Sequence, residues 1–473
     1  MWLFNSSPIK EVSPSVETLS VFLCGMASLQ PLQLNFVGSG YAIRRFGYGP
    51  EAIGPFVGIV HAFQEFWCLV GMVCTTGVAQ ISGIPSVKRY KTYIMGTYSM
   101  VISALLALCN IRLLLLVGTS IGDSNITSYY WNLCLAGFLF GAYDGGVRST
   151  SPENSVFYTL GQCLGGCCLT IFIVIMTKIL TAMHAEMGYW MLYWQINFAL
   201  AISFVSGILW NVVVIFNKFG PDRPKKGGNS NPDFLSVCGE GWPFMAMFSI
   251  SLGSIFTVYP AVAPFQLLPL EKTQVILRVC LITDSVSASI CTVLTKCCGM
   301  DKHWKNNHWY YYFIALLYIP FFTLMFTFIY VMHHPTGRLG KLIYMRPTVV
   351  FILTLIYFFS GRFTLQCGIG SLYANIKDTR GSGSSGGGNN VDTFLVLTGV
   401  VGMCVLLSTK FLFEGYMNAF RSAKAGLESG LPWPTEGLSG SKAFRYWLGC
   451  GVKGGLSMMG GVWTKDIRTQ ILH

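Results

Sequence analysis

Apolar stretches of twenty or more residues recur from one end of this chain to the other, each bounded by short polar or charged segments. Hydrocarbon roughly 30 Å thick is crossed by about 20 helical residues rising about 1.5 Å each. Eleven stretches meet that requirement: 18–43, 52–79, 93–117, 128–147, 155–180, 188–216, 242–268, 274–296, 309–332, 347–375 and 393–413. The ten-residue alternation of a membrane barrel is absent from the sequence, and backbone groups in lipid must then be paired within each segment. The pattern predicts an all-α polytopic membrane protein with about eleven transmembrane helices.

The longest polar break between spans, 217–241, holds Lys218, Arg223, Lys225 and Lys226 among prolines and glycines. It divides the chain into a six-helix half, 18–216, and a five-helix half, 242–413. Residues 1–17 precede the first span, a Gly/Ser-rich loop at 376–392 reads as a flexible linker, and a basic, Gly-rich tail occupies 414–473. Within that tail, 446–463 is weakly apolar with Lys453 in its middle, which fits a re-entrant or interfacial piece or a twelfth span; eleven spans is the preferred reading.

Composition agrees with the pattern. Of 473 residues, 52% are hydrophobic and 11% charged, with a mean hydropathy of +0.53, whereas soluble domains carry about 25% charged residues. The net charge of +12 is scattered through short loops with no basic stripe, so it points to lipid headgroups and orientation rather than to nucleic acid. Fourteen lysines and arginines, from Lys10 to Arg380, fall on the side of the N-terminus against eight, from Arg44 to Arg346, on the other. That bias predicts a cytoplasmic N-terminus, although the tail from Lys410 to Arg468 adds eight positive residues outside. The first apolar run is too long for a cleaved leader, and the plasma membrane is the expected residence. The 16 cysteines are scattered without repeated metal-ligand spacing, so no metal and no cofactor is expected. Asn125-Ile-Thr, between spans 3 and 4, is a candidate glycan acceptor on the external side.

Ionisable groups inside spans are costly and mark partners or pathways. His61 and Glu65, four apart in span 2, share a helix face and read either as a proton relay or as a structural hydrogen-bonded pair. Asp284, in the middle of span 8, requires a cation; Arg278 lies well round the same helix, and Arg362 of span 10 is the expected partner. Pro260, Pro264 and Pro269, late in span 7, remove backbone donors and predict a bent, gate-like segment. Pro31, with Gln30, Gln33 and Asn35, gives span 1 a similar break. Gly137 and Gly141, and Gly161 and Gly165, form Gly-xxx-Gly patterns suited to close helix contact, with Gln162 beside the second.

In series, these segments resemble the equilibrative nucleoside transporter family. Gly25-Met-Ala-Ser-Leu-Gln-Pro31-Leu-Gln is similar to that family's first span, Ala136-Gly-Phe-Leu-Phe-Gly141 to its fourth, Leu160-Gly-Gln-Cys-Leu-Gly-Gly166 to its fifth and Tyr259-Pro-Ala-Val262 to its seventh. Asp284 stands where the family's eighth span has an aspartate. The resemblance covers about 17–415 and implies a six-plus-five bundle of the major facilitator kind, alternating access around a midplane site and a nucleoside or nucleobase cargo. It places Gln33, Asp284 and Arg362 at that site. Four family positions differ: Leu32 replaces Trp, Gln33 replaces Asn, Ala136 replaces Gln and Ala288 replaces Arg.

The expected function is movement of a small polar solute across the bilayer, facilitative or proton-coupled, without enzymatic chemistry. His333 and His334, the only histidine pair suggestive of a multispan acyltransferase, have no accompanying acid motif. The alternative is a receptor or scaffold that kept the fold and lost the pocket.

Overall fold

The computed structural model describes residues 12–49, 52–82, 90–119, 124–151, 154–218, 233–300, 304, 308–377 and 389–462. Most of both expected linkers (219–232 and 378–388) lies outside the described residues, as do 1–11, 463–473 and several charges of the orientation count, including Lys88, Arg89, Lys225 and Arg380.

All regular structure among the described residues is helical. The elements are α1 (Pro14–Arg45), α2 (Ile53–Ser82), α3 (Lys91–Thr119), α4 (Ser124–Thr150), α5 (Ser155–Ala182) and α6 (Met187–Val213, extended by a π turn). The second half has α7 (Phe234–Val258), α8 (Leu270–Cys297), α9 (Trp309–His333, opening as a 3-10 helix), α10 (Pro347–Lys377) and α11 (Asn389–Glu428). α12 (Gly440–Val462) follows.

Ten of these helices are long and apolar enough to cross a membrane. Two further helices of span length, α4 and α12, fall below that hydropathy; α4 carries Asn132, Asp144, Arg148, several glycines and a Ser/Thr/Tyr-rich start. α4 lies against α2 and α3, with Ile126, Tyr129, Leu133, Leu139, Tyr143 and Val147 almost fully buried. A helix walled by protein does not need the lipid-facing apolar surface of its neighbours.

Helices α1–α6 form one half and α7–α11 the other. α1 packs on α5 and α6, and α2 on α4; in the second half α7 packs on α10 and α11, and α8 on α10. Two seams join the halves, α5 with α8 and α2 with α11. The N-terminal end of the bundle is tied by Val12, whose amide donates to Asn217 Oδ1 at 2.8 Å, and by Ser151, which donates to Glu17 at 2.7 Å.

Close backbone approach explains the glycine patterns. A Cβ on Gly161 would strike the carbonyl of Phe22, and one on Gly25 that of Tyr158, so α1 and α5 are in mutual backbone contact. Gly137 and Gly141 stand in the same relation to Gln64 and Cys68 of α2, and Gly165 faces Met26 and Gln30 of α1. α1 is interrupted at Leu29 and by a π turn over Leu34–Gly38. Pro31 supplies no amide hydrogen there, and its carbonyl accepts from Gln64 Nε2 at 3.2 Å.

Three boundaries differ from the sequence expectation. Span 7 ends at Val258, so Pro260 and Pro264 stand in a run of turns beyond the helix and terminate it rather than bend it. The same helix begins at Phe234, inside the expected linker. α11 continues to Glu428, past the boundary expected at 413, and α12 folds back to cover its stretch around Phe411–Phe420. Gly454 and Gly455 meet Gly415 and Phe411 of α11, and Trp447 packs 5.8 Å from Tyr416 and 6.1 Å from Phe420. The opposite face of α12 exposes Phe444, Leu448, Val452 and Leu456.

Candidate functional site

Asp284 and Arg362 occupy the middles of α8 and α10. Arg362 Nε donates to Asp284 Oδ1 and Nη2 to Oδ2, both at 2.6 Å, and the side chains are only 9% and 13% exposed. This is the forked geometry that makes arginine–carboxylate pairs strong. Gln366, one turn along α10, donates to Asp284 Oδ1 at 2.9 Å and accepts from Ser287 at 2.8 Å. Burial of charge is tolerated when remaining lone pairs are filled in this way. Arg278, the other candidate partner, takes no part in the pair, and its Nε is buried without a hydrogen bond.

The first half touches this network through Cys163 of α5. Its carbonyl accepts from Ser285 at 2.7 Å, while its thiol lies 3.3 Å from Gln366 Nε2 and 3.8 Å from Arg362 Nη2. The buried ion pair therefore sits on the α5–α8 seam, with polar contacts to both halves.

Gln33 does not join it, contrary to expectation. Its amide donates to the Gln162 carbonyl at 3.4 Å, and the Gly166 position separates it from Leu281 of α8, so the α5 backbone lies between. The Gln33 Oε1 is buried without a partner. Gln162 itself is more than a packing residue. Its amide donates to Asp144 at 3.1 Å and accepts from Arg148 at 3.3 Å. Arg148 grips both Asp144 oxygens from Nε at 3.1 Å and lies 4.6 Å above the Tyr158 ring.

A narrow, partly open cleft leads from this second pair toward the first; Arg148, Ser155 and Thr159 line one side, and Ala288, Thr292 and Gln366 the other. Gln366 thus faces the cleft while holding Asp284. A second narrow cleft is lined by Pro31, Leu32, Gln64, Glu65, Gly137 and Phe140. Two of the four positions that depart from the transporter family, Leu32 and Ala288, line these clefts, and a third, Ala136, is wholly buried.

His61 and Glu65 lie 3.6 Å apart, 1% and 7% exposed, with the rings of Phe36 and Phe256 at 4.7 and 5.4 Å from the imidazole. Facing them on α11 is a pair missed by the sequence reading, Lys410 and Glu414, 3.2 Å apart and 3% and 7% exposed. The available signal was the i,i+4 spacing of two opposite charges at the end of an apolar run. Asn125 falls in the first turn of α4 rather than in a loop, beside the fully buried Ile126. His333 donates to or accepts from Tyr416 at 2.6 Å within an aromatic group that includes Phe420, Trp433 and Trp447.

No protein-family model and no curated protein matches the chain. Among solved structures it is similar to a bacterial homologue of the iron transporter ferroportin, in an outward-facing state with soaked iron. The identity is 11% and the TM-score 0.47, over 93% of this chain and 97% of that one.

Proposed function

We propose that the chain is a carrier for a small polar solute, working by alternating closure of its two seams, with a nucleoside or nucleobase as the first cargo to test. The observation that carries this reading is the Asp284–Arg362–Gln366 network, set midway along α8 and α10 and bordered by a partly open cleft of mixed polar and apolar lining between the halves. A carboxylate, a guanidinium and an amide together offer donors and acceptors to a neutral polar ring system. Such a site rejects cargo lacking matching groups because its own would be left unpaired. The nucleoside preference rests on the sequence resemblance in spans 1, 4, 5 and 7 and on Asp284.

Uptake of a radiolabelled panel of nucleosides, nucleobases, sugars and amino acids in a transport-deficient cell tests the proposal. The native chain should give saturable, competable flux of one class. Asp284→Asn and Arg362→Ala should each abolish it at unchanged membrane abundance. Full activity in both variants would remove the site, and no flux of any panel member would favour the scaffold alternative, to which the small clefts are also suited.

A further inference from the structure

We propose that His61, Glu65, Lys410 and Glu414 form a proton-binding lock across the α2–α11 seam, and that solute movement is coupled to that proton. The coupling rests on the carrier reading above; the lock is a property of the seam itself.

Each pair has a spacing of four and therefore projects from one helix face. α2 belongs to the first half and α11 to the second, so these side chains leave water only when the halves close together here. The closure is tight: a Cβ on Gly58 of α2 would lie 3.1 Å from the Glu414 carboxylate, and the charge of Lys410 acts on both His61 and Glu65. All four side chains are almost fully buried.

Counting charge identifies the ion. With a neutral imidazole, one ammonium faces two carboxylates, and the buried cluster carries one uncompensated negative charge, which a low-dielectric site strongly disfavours. One proton brings it to zero. Either a Glu65 oxygen or a His61 ring nitrogen can hold it, and the 3.6 Å separation lets the pair share it. Both imidazole nitrogens are buried without a hydrogen-bond partner, so the ring has a site to spare.

Among the described residues, the side chains shown around the cluster add no further cation. α1 and α7 present Phe36 and Phe256. α2 adds the Cys68 thiol, with Asp144 of α4 beyond it. The described His, Cys, Asp and Glu side chains nowhere gather in threes suited to a metal ion. Glu65 also lines the second cleft, beside Pro31 and Leu32. The closed seam thus holds the proton, and opening to water releases it, so acid favours closure and alkali favours opening.

Hydrogen–deuterium exchange of the full chain in nanodiscs, with labelling times scaled for chemical exchange, reads the lock without any solute. Peptides of α2 and α11 from the native chain should exchange at least about fivefold faster at about pH 8.5 than at about pH 5.5. Glu65→Gln, which has the shape of the acid without its charge, should remain slow at both. Native exchange that ignores pH would overturn the proposal, whatever the variant does. In proteoliposomes, tritiated adenosine should accumulate several-fold more with an inward proton gradient, and Glu65→Gln should lose that response. Saturable adenosine flux indifferent to the gradient would overturn the coupling and leave the carrier reading standing. Absent adenosine flux with pH-dependent seam exchange would support the lock and count against the nucleoside.

Discussion

Asp284 and Arg362 illustrate how a single costly side chain dictates its neighbours. Removing one member of a buried ion pair leaves the other uncompensated, at about 3–5 kcal/mol, so each single neutralisation should also lower thermal stability. Exchanging the two, as Asp284→Arg with Arg362→Asp, should recover at least half of the melting-temperature loss of the worse single variant, because the charges remain matched. Fluorescence-detected thermal unfolding in detergent checks this; a double variant no better than the singles would mean that Gln366 and Cys163, not charge, set the stability. The pair was legible in the sequence because an aspartate amid apolar residues demands a cation and Arg362 lies at matching depth. Lys410 and Glu414 were not, since both read as the start of a polar tail until α2 is seen to pack against them. Asp144 was hidden similarly, by its place at the end of a short apolar run. Gln33 misled because a residue facing its own helix neighbour and one facing the centre have the same spacing.

At the scale of elements, membrane helices without a water-driven attraction depend on close packing, and glycine contacts supply it here. Gly161→Leu forces side-chain volume into the Phe22 backbone; overpacking of this kind costs about 1–3 kcal/mol or more. The variant should reach the membrane at lower yield and melt earlier. Gly77→Ala, where a Cβ meets nothing within 4 Å, should be neutral or stabilising by about 0.5–1 kcal/mol. Equal melting of the two variants would show that the α1–α5 contact is looser than described. The order of the helices was readable from hydropathy, although ten of them, not eleven, are apolar enough to cross a membrane. The ends of α7 and α11 were not, because an apolar run continues through Pro260 and Pro264 after the helix has stopped, and a helix continues through Glu428 after the run has stopped.

For the molecule as a whole, the halves meet at two seams, and a carrier must open them in turn. Fixing one should arrest the cycle. Ser285 donates to the Cys163 carbonyl across the α5–α8 seam, so Ser285→Cys sets a thiol against the backbone of a residue that carries a native one. Mild oxidation should block solute uptake in this variant and dithiothreitol should restore it, while the native chain is unaffected; persistent uptake despite a demonstrated cross-link would remove seam opening from the cycle. The seams were beyond sequence reading, because hydropathy locates helices along the bilayer normal and says nothing about which ones touch. α4 carries a further consequence, for assembly in the cell. A segment too polar to partition into lipid alone is a poor client for the insertion machinery. It is expected to wait beside the translocation channel until α2 and α3 offer their glycine-fitted and apolar sides, so that membrane entry of the fourth helix and folding of the first half become one event.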